Sequence, residues 1–201
     1  ADPDATVRTA ALDALRAAME HESEDLRRHV LLSLIESPDP GMVRSGLELL
    51  AENRLLVDRE VVAALRTALE GPSGTRVAIA EALAETYRDA EPEEAIAGYE
   101  AFLRHSDPAV RRVAIRRLAA DAADRVRLRE AVFPTLVEHL RDPEPELRVE
   151  CALTIVELKY PGAPSVVSQL AYDPHAVSRH GLGYVMRQTG NAAMEERAST
   201  I

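Results

Sequence analysis

The sequence predicts an all-α fold, a solenoid of stacked antiparallel helix pairs, and three observations carry that reading. A short phrase, an Asp-Pro turn followed by Val-Arg at the head of an apolar helix, returns along the 201 residues. It reads Asp2-Pro3 with Val7-Arg8, Pro38 with Val43-Arg44, Pro72 with Thr75-Arg76, Asp107-Pro108 with Val110-Arg111, Asp142-Pro143 with Leu147-Arg148, and Asp173-Pro174 with Val177. The anchors 7, 43, 75, 110, 147 and 177 are 36, 32, 35, 37 and 30 residues apart. A period of a few tens of residues marks units that bury their apolar faces only by stacking on one another. Composition agrees: Ala, Leu and Val dominate and aromatics are 3% with no Trp, which suits helices packed closely through small and branched side chains.

Apolar spacing punctuated by Pro, Gly and Asp gives the elements in order. A helix over 5–20 follows the first turn, and 24–36 precedes the second. Unit two then turns at Ser37-Pro38-Asp39-Pro40, with its Asp shifted, into 41–53, followed by 58–70. Unit three replaces the turn by Gly71-Pro72-Ser73-Gly74 and the Val by Thr75, opening 74–88 ahead of 93–105. These two joints are expected to be less regular than Asp107-Pro108 before 108–121 and Asp142-Pro143 before 145–158. Between the latter pair lies 125–141, where Pro134 removes a helical hydrogen bond and is expected to kink the helix. After 163–171 the last turn opens 175–189, with Ser178 where Arg is expected. Gly181 and Gly183 lower the intrinsic stability of that helix or permit close approach of another. Residues 191–201 form a weakly helical tail. The chain opens at Ala1-Asp2-Pro3, without Met or a signal-peptide pattern and directly at a mid-repeat turn, as expected for a segment of a longer polypeptide.

In the fourth full unit, Pro134 stands eight residues before the turn Asp142, and Leu147-Arg148 stand five and six after it. This resembles the HEAT repeat, whose first helix carries a Pro, whose turn carries Asp, and whose second helix opens with Val-Arg. The resemblance covers essentially the whole chain, with residues 1–190 as one array, and implies a right-handed α-solenoid of about five and a half repeats. It also implies that the helices opening with Val-Arg line a concave side. The positions two and six after each anchor are then the places to look for a partner, with Thr9, Asp13, Ser45, Glu81, Arg112, Arg116 and Arg179 the polar ones. Val149 and Leu153 would supply an apolar anchor there.

The phrase has a physical account. A turn Asp accepts from the free N–H groups of a helix start, Pro pre-sets φ where no donor is needed, and the Val is buried. The Arg is placed to pair with a turn Asp, its own or the next one, so that Asp2, Arg8, Arg44, Arg76, Asp107, Arg111, Asp142 and Arg148 form a structural ladder of charge-assisted hydrogen bonds.

Catalysis finds no support in the sequence. There is no phosphate loop, nucleophile elbow or Cys-x-x-Cys. The lone Cys151 reads as a small core residue. His21-Glu22 is a single pair, whereas the HEAT-like di-iron hydroxylases that it resembles use several, and the Trp residues of HEAT-like DNA glycosylases are absent. His175 and His180, five apart, project about 140° from each other on a helix and are poorly placed to share a metal. No cofactor is expected. The apolar run Val30-Leu31-Leu32-Ser33-Leu34-Ile35 is a third of the ~18 residues needed to cross a bilayer, so a cytoplasmic chain is expected.

Charge is uneven. Residues 1–100 carry 10 Arg against 21 acids, whereas 101–201 carry 14 basic residues against 13 acids. The stretch 104–129 holds Arg104, Arg111, Arg112, Arg116, Arg117, Arg125, Arg127 and Arg129 against three Asp, a local +5. Such a patch grips phosphate or an acidic peptide, or is simply a solvated face. The net charge of −10 and the lack of interleaved aromatics argue against nucleic acid. The sequence therefore points to a noncatalytic protein-interaction scaffold, not an enzyme, whose partner is a protein or acidic peptide. Two alternatives are a nucleic-acid- or phosphate-binding array through Arg104–Arg129, and a cofactor-handling role like that of the HEAT-like phycobilin lyases.

Overall fold

The computed structural model describes residues 5–19, 22–52 and 57–189. Among these it contains eleven α-helices, short 3-10 turns and no strand. They are α1 (Ala5–Met19), α2 (Glu24–Ile35), α3 (Pro40–Glu52), α4 (Arg59–Leu69), α5 (Ser73–Arg88), α6 (Pro92–Leu103), α7 (Pro108–Asp121), α8 (Val126–Glu138), α9 (Pro145–Glu157), α10 (Ala163–Val167) and α11 (Ala176–Thr189). The expected helix over 125–141 ends at Glu138 and tightens into a 3-10 turn, His139–Arg141, and that over 163–171 is likewise α10 followed by the 3-10 turn Ser168–Tyr172. No described helix is long and apolar enough to cross a membrane. The helices form two compact units, Ala1–Thr86 and Tyr87–Ile201.

In the first unit α2 packs on α3 and α4. Ser23 caps α2 by accepting the Leu26 N–H, and Asp58 caps α4 by accepting those of Glu60 and Val61. Asp58 also pairs with Arg28 across 3.0 Å, joining the start of α4 to α2. Gly46 is what lets α3 approach α2, because a Cβ there would stand 2.9 Å from the Leu34 Cβ. Leu31, Ile35, Leu49, Val61 and Leu65 fill the space between these helices.

The second unit has two layers. α6 packs on α8, and α7 on α9, which in turn packs on α11, so first helices lie beside first helices and second beside second. Tyr87, Tyr99 and Phe102 cluster at one end with centroids 5.5–6.4 Å apart, and Gly98 lies directly under the Tyr87 ring. The Tyr99 hydroxyl donates to Asp121 at 2.5 Å, satisfying a phenol that burial would otherwise leave without a partner. Phe133 stacks on Tyr160 at 4.1 Å, and the Tyr160 hydroxyl donates to the Arg129 carbonyl. The turn between α9 and α10 reverses through Lys159 and Gly162, with φ of 53° and 75°.

The register of the last repeat differs from the sequence expectation. Ser178, not Val177, occupies the buried anchor: Ser178 is 0% exposed and Val177 50%. Counting five residues from the turn Asp gives Leu147 after Asp142 and Ser178 after Asp173, so Arg179 takes the position of Arg148. The Ser178 hydroxyl is satisfied there by the Pro145 carbonyl and Arg148 Nε. In the turn before α7 it is His105 whose side chain accepts the N–H two residues on, as Asp142 and Asp173 do in their turns. Asp107 instead caps α7 through Ala109 N–H.

Candidate functional site

Three arginines of the second unit repeat one geometry. Nη1 of Arg111 donates to the carbonyls of His105 and Ser106 at 2.9 and 3.0 Å, while Nε and Nη2 grip both oxygens of Asp142 in the next turn, each at 2.8 Å. Arg148 does the same one repeat on: Nη1 holds the carbonyls of Asp142 and Pro143, and Nε and Nη2 meet Asp173 at 2.7 and 3.1 Å. Arg179 places Nη1 on the carbonyls of Asp173 and Pro174 at 2.6 and 2.9 Å. A planar fork of donors suits this double task, which a lysine ammonium could not perform. Asp142 is fully buried and also receives the Glu144 N–H at 2.9 Å and His139 Nδ1 at 3.1 Å. Burial pushes its carboxyl up, but the hydrogen bonds from Arg111, Glu144 and His139 outweigh this and hold it below the usual carboxylate value.

A second arrangement lies on the solvent-exposed side of α7, α9 and α11. Arg112 Nε and Arg116 Nη2 both approach Glu150 Oε1 at 3.3 Å, bridging α7 and α9. Glu150 Oε2 is buried without a hydrogen-bond donor. Arg116 is 68% exposed, and its Nε and Nη1 have no partner among the described residues. The structure places Val149 against the backbone of Gly181, where a Cβ would collide with both its methyls, so this residue is committed to packing α11 on α9. Leu153 stays half-buried. With the register corrected, the positions equivalent to Arg112 and Arg116 on α11 are His180 and Tyr184, both exposed, rather than Arg179.

The basic stretch is largely paired by acids from outside it. Arg104 meets Glu100 at 3.1 Å, Arg127 meets Glu93 at 3.3 Å, Arg111 meets Asp142, and Arg112 and Arg116 share Glu150. Arg125 is spent on the carbonyls of Tyr87, Arg88 and Ala90, closing the C-terminal end of α5. Glu150 is the residue that sequence reasoning missed. Its signal is an acid one repeat, 34 residues, beyond Arg116.

The remaining expectations fall as follows. Asp2 and the side chains of Arg8 and Thr9 lie outside the described residues, as do His21 and the tail 191–201. Arg44 directs Nη2 to the Gly74 carbonyl at 3.5 Å, and Arg76 donates to the Gly71 carbonyl at 3.0 Å. Asp13 pairs with Arg16, and Ser45 and Glu81 are half-buried. His180 meets its own helix at the Ala176 carbonyl, His175 lies exposed in the turn before α11, and no cluster of three or more potential metal ligands occurs among the described residues. Cys151 is buried, and that burial raises its thiol pKa.

No curated protein and no solved structure matches the chain. The family model of HEAT repeats matches residues 96–187, which run from α6 into the last turn of α11. With its paired helices packed in sequence order and its Arg–Asp rungs from turn to turn, this stretch of the chain belongs to the HEAT-repeat superfamily.

Proposed function

We propose that the chain is a noncatalytic protein-binding array, and that the solvent-exposed side of α7, α9 and α11 receives an acidic segment of its partner. HEAT repeats are commonly protein-interaction scaffolds. The observation that supports this face is the Arg112–Arg116–Glu150 cluster, where Glu150 takes one nitrogen of Arg116 and leaves Nε and Nη1 directed to solvent. Nε and Nη1 can each donate a charge-assisted hydrogen bond to a second carboxylate. Leu153 and Tyr184, at the equivalent positions of the next two second helices, supply apolar and amphipathic contact beside the charge.

Site-specific photocrosslinking tests this. A benzophenone amino acid introduced at 184 in cells making the protein is expected to capture a discrete protein, and one at Glu130, exposed on the first-helix layer, is not. The 184 adduct should disappear when R112E and R116E are added. Capture of nucleic acid, or equal capture from 130, would overturn the assignment.

A further inference from the structure

The 3-10 turns His139–Arg141 and Ser168–Tyr172, with the turn that opens α11, enclose a cavity of about 440 Å³, in the size range of small-molecule sites. The buried rung of Arg148 and Asp173 forms its floor, and Leu140, Leu170 and Pro174 give it apolar walls. Asp173 is the one acid in this lining and it is spent, because Arg148 and the His175 N–H occupy its oxygens. The rim is different. Arg141 and Tyr172 each stand immediately before a turn Asp, so they lie one repeat apart along the same edge of the array. Arg141 is exposed and has no ion pair, hydrogen bond or ring contact among the described residues, and the Tyr172 ring, 85% exposed, has no ring partner there either. The exposed imidazole of His175 is a third rim group without a partner among the described residues. One repeat earlier the arginine before the turn, Arg104, is instead paired with Glu100 at 3.1 Å.

We infer that this cavity binds a small aryl anion, an aromatic ring carrying a carboxylate or a phosphate, with its ring on Tyr172 between the apolar walls and its charge on Arg141 and His175. The sign follows from the lining: Arg148 and Asp173 neutralise each other, which leaves the Arg141 guanidinium with all its donors open. Such a fork reads a carboxylate or a phosphate equally well. The ring follows from Tyr172, whose open face favours an offset-stacked partner, and from walls of leucine and proline. Both repeats that frame the cavity lie within the described residues, and in a solenoid each repeat contacts only its neighbours. A further repeat would stack on α10 and α11, not enter the space between them and the repeat before. The site uses the turn edge of the array rather than the helix faces that carry Arg116 and Tyr184, so it stands or falls independently of the protein-binding reading.

Fluorine NMR of the full chain, with its five tyrosines replaced by fluorotyrosine, reads the site directly. The Tyr172 resonance is the one that Tyr172→Phe removes. Titration with phenyl phosphate and with phenylacetate is expected to shift that resonance saturably for at least one of the two, and which one does so separates a phosphate ligand from a carboxylate. Arg141→Gln should weaken binding roughly tenfold or more, as loss of a charge-assisted contact does, while Arg104→Gln, at the paired arginine one repeat earlier, should leave it unchanged. By isothermal titration, Tyr172→Phe should retain binding and Tyr172→Ala should weaken it roughly tenfold, because the ring and not the hydroxyl makes the contact. Inorganic phosphate, which has no ring, and benzyl alcohol, which has no charge, should each bind at least roughly tenfold more weakly than the better aryl anion. No shift of the Tyr172 resonance with either aryl anion overturns the inference. So does binding indifferent to R141Q or Y172A, or matched by inorganic phosphate or benzyl alcohol.

Discussion

Replacing Asp142 with Ala tests the ladder where it is most deeply buried. The side chain is 0% exposed and accepts four hydrogen bonds, two from Arg111 at 2.8 Å and one each from the Glu144 N–H and His139. Its removal leaves the Arg111 guanidinium, 9% exposed, without a counter-charge. Breaking one side of a buried pair costs about 3–5 kcal/mol, because the orphaned charge cannot reach water. With a urea m-value of about 2 kcal/mol per M, that is a fall of about 2 M in the midpoint read by far-UV circular dichroism. The double variant R111M/D142L removes both charges and should stay within about 1 kcal/mol of the parent. Acid should act as a partial D142A. A carboxyl held below its unfolded value contributes stability that is present above the unfolded pKa of ~4 and is lost as pH falls through the lower folded value. The parent should therefore lose stability below about pH 4, and R111M/D142L should lose less. A D142A variant within 1 kcal/mol of the parent, or a double variant as damaged as the single one, would refute this account.

Three further outcomes follow from features of the second unit. Reversing both Arg112 and Arg116 to Glu should abolish capture of an acidic partner and cost about 1–3 kcal/mol of stability with the fold intact, as both arginines are substantially exposed but the largely buried Glu150 loses its two partners; isothermal titration and urea melts separate the two effects. Gly98→Ala should destabilise by about 1–3 kcal/mol, because its methyl enters the Tyr87 ring, whereas Gly183→Ala, in open space, should stabilise α11 by up to about 1 kcal/mol. Cys151, buried with its thiol pKa raised, should resist maleimide at pH 8 in the folded chain and react once urea unfolds it, as mass spectrometry would read.

The helices were legible because their punctuation is local. Pro40, Pro92, Pro108 and Pro145 stand at helix starts, where a missing N–H costs nothing, and the apolar spacing between such breaks has one helical reading. The last register was not, because Val177 looks like a core residue and Ser178 does not. The choice of Ser178 is made by the Pro145 carbonyl and Arg148, groups more than two dozen residues away that accommodate a buried hydroxyl. Asp107 misled in a similar manner: its role as helix cap is local, while the place that Asp142 fills elsewhere is held by His105, a residue type that does not announce a turn. The arginines were legible as charge, but the pairing of Arg127, Arg111 and Arg112 with Glu93, Asp142 and Glu150 depends on which helices lie side by side.

Chain length between one turn and the next is free to vary in a way that length within a turn is not. Both Asp142–Arg148 and Asp173–Arg179 span six residues, and the arginine reaches its own turn carbonyl in each. Yet the same rung is closed across 31 residues from Arg111 to Asp142 and across 25 from Arg148 to Asp173, the shorter crossing being made by the five-residue α10 in place of the thirteen-residue α8. Insertions and deletions are thereby absorbed in the first helices. A first helix could be exchanged for one of another length without disturbing the turn and second helix that follow, so the unit of transfer between arrays of this kind runs from turn to turn, with the arginine as its fixed point.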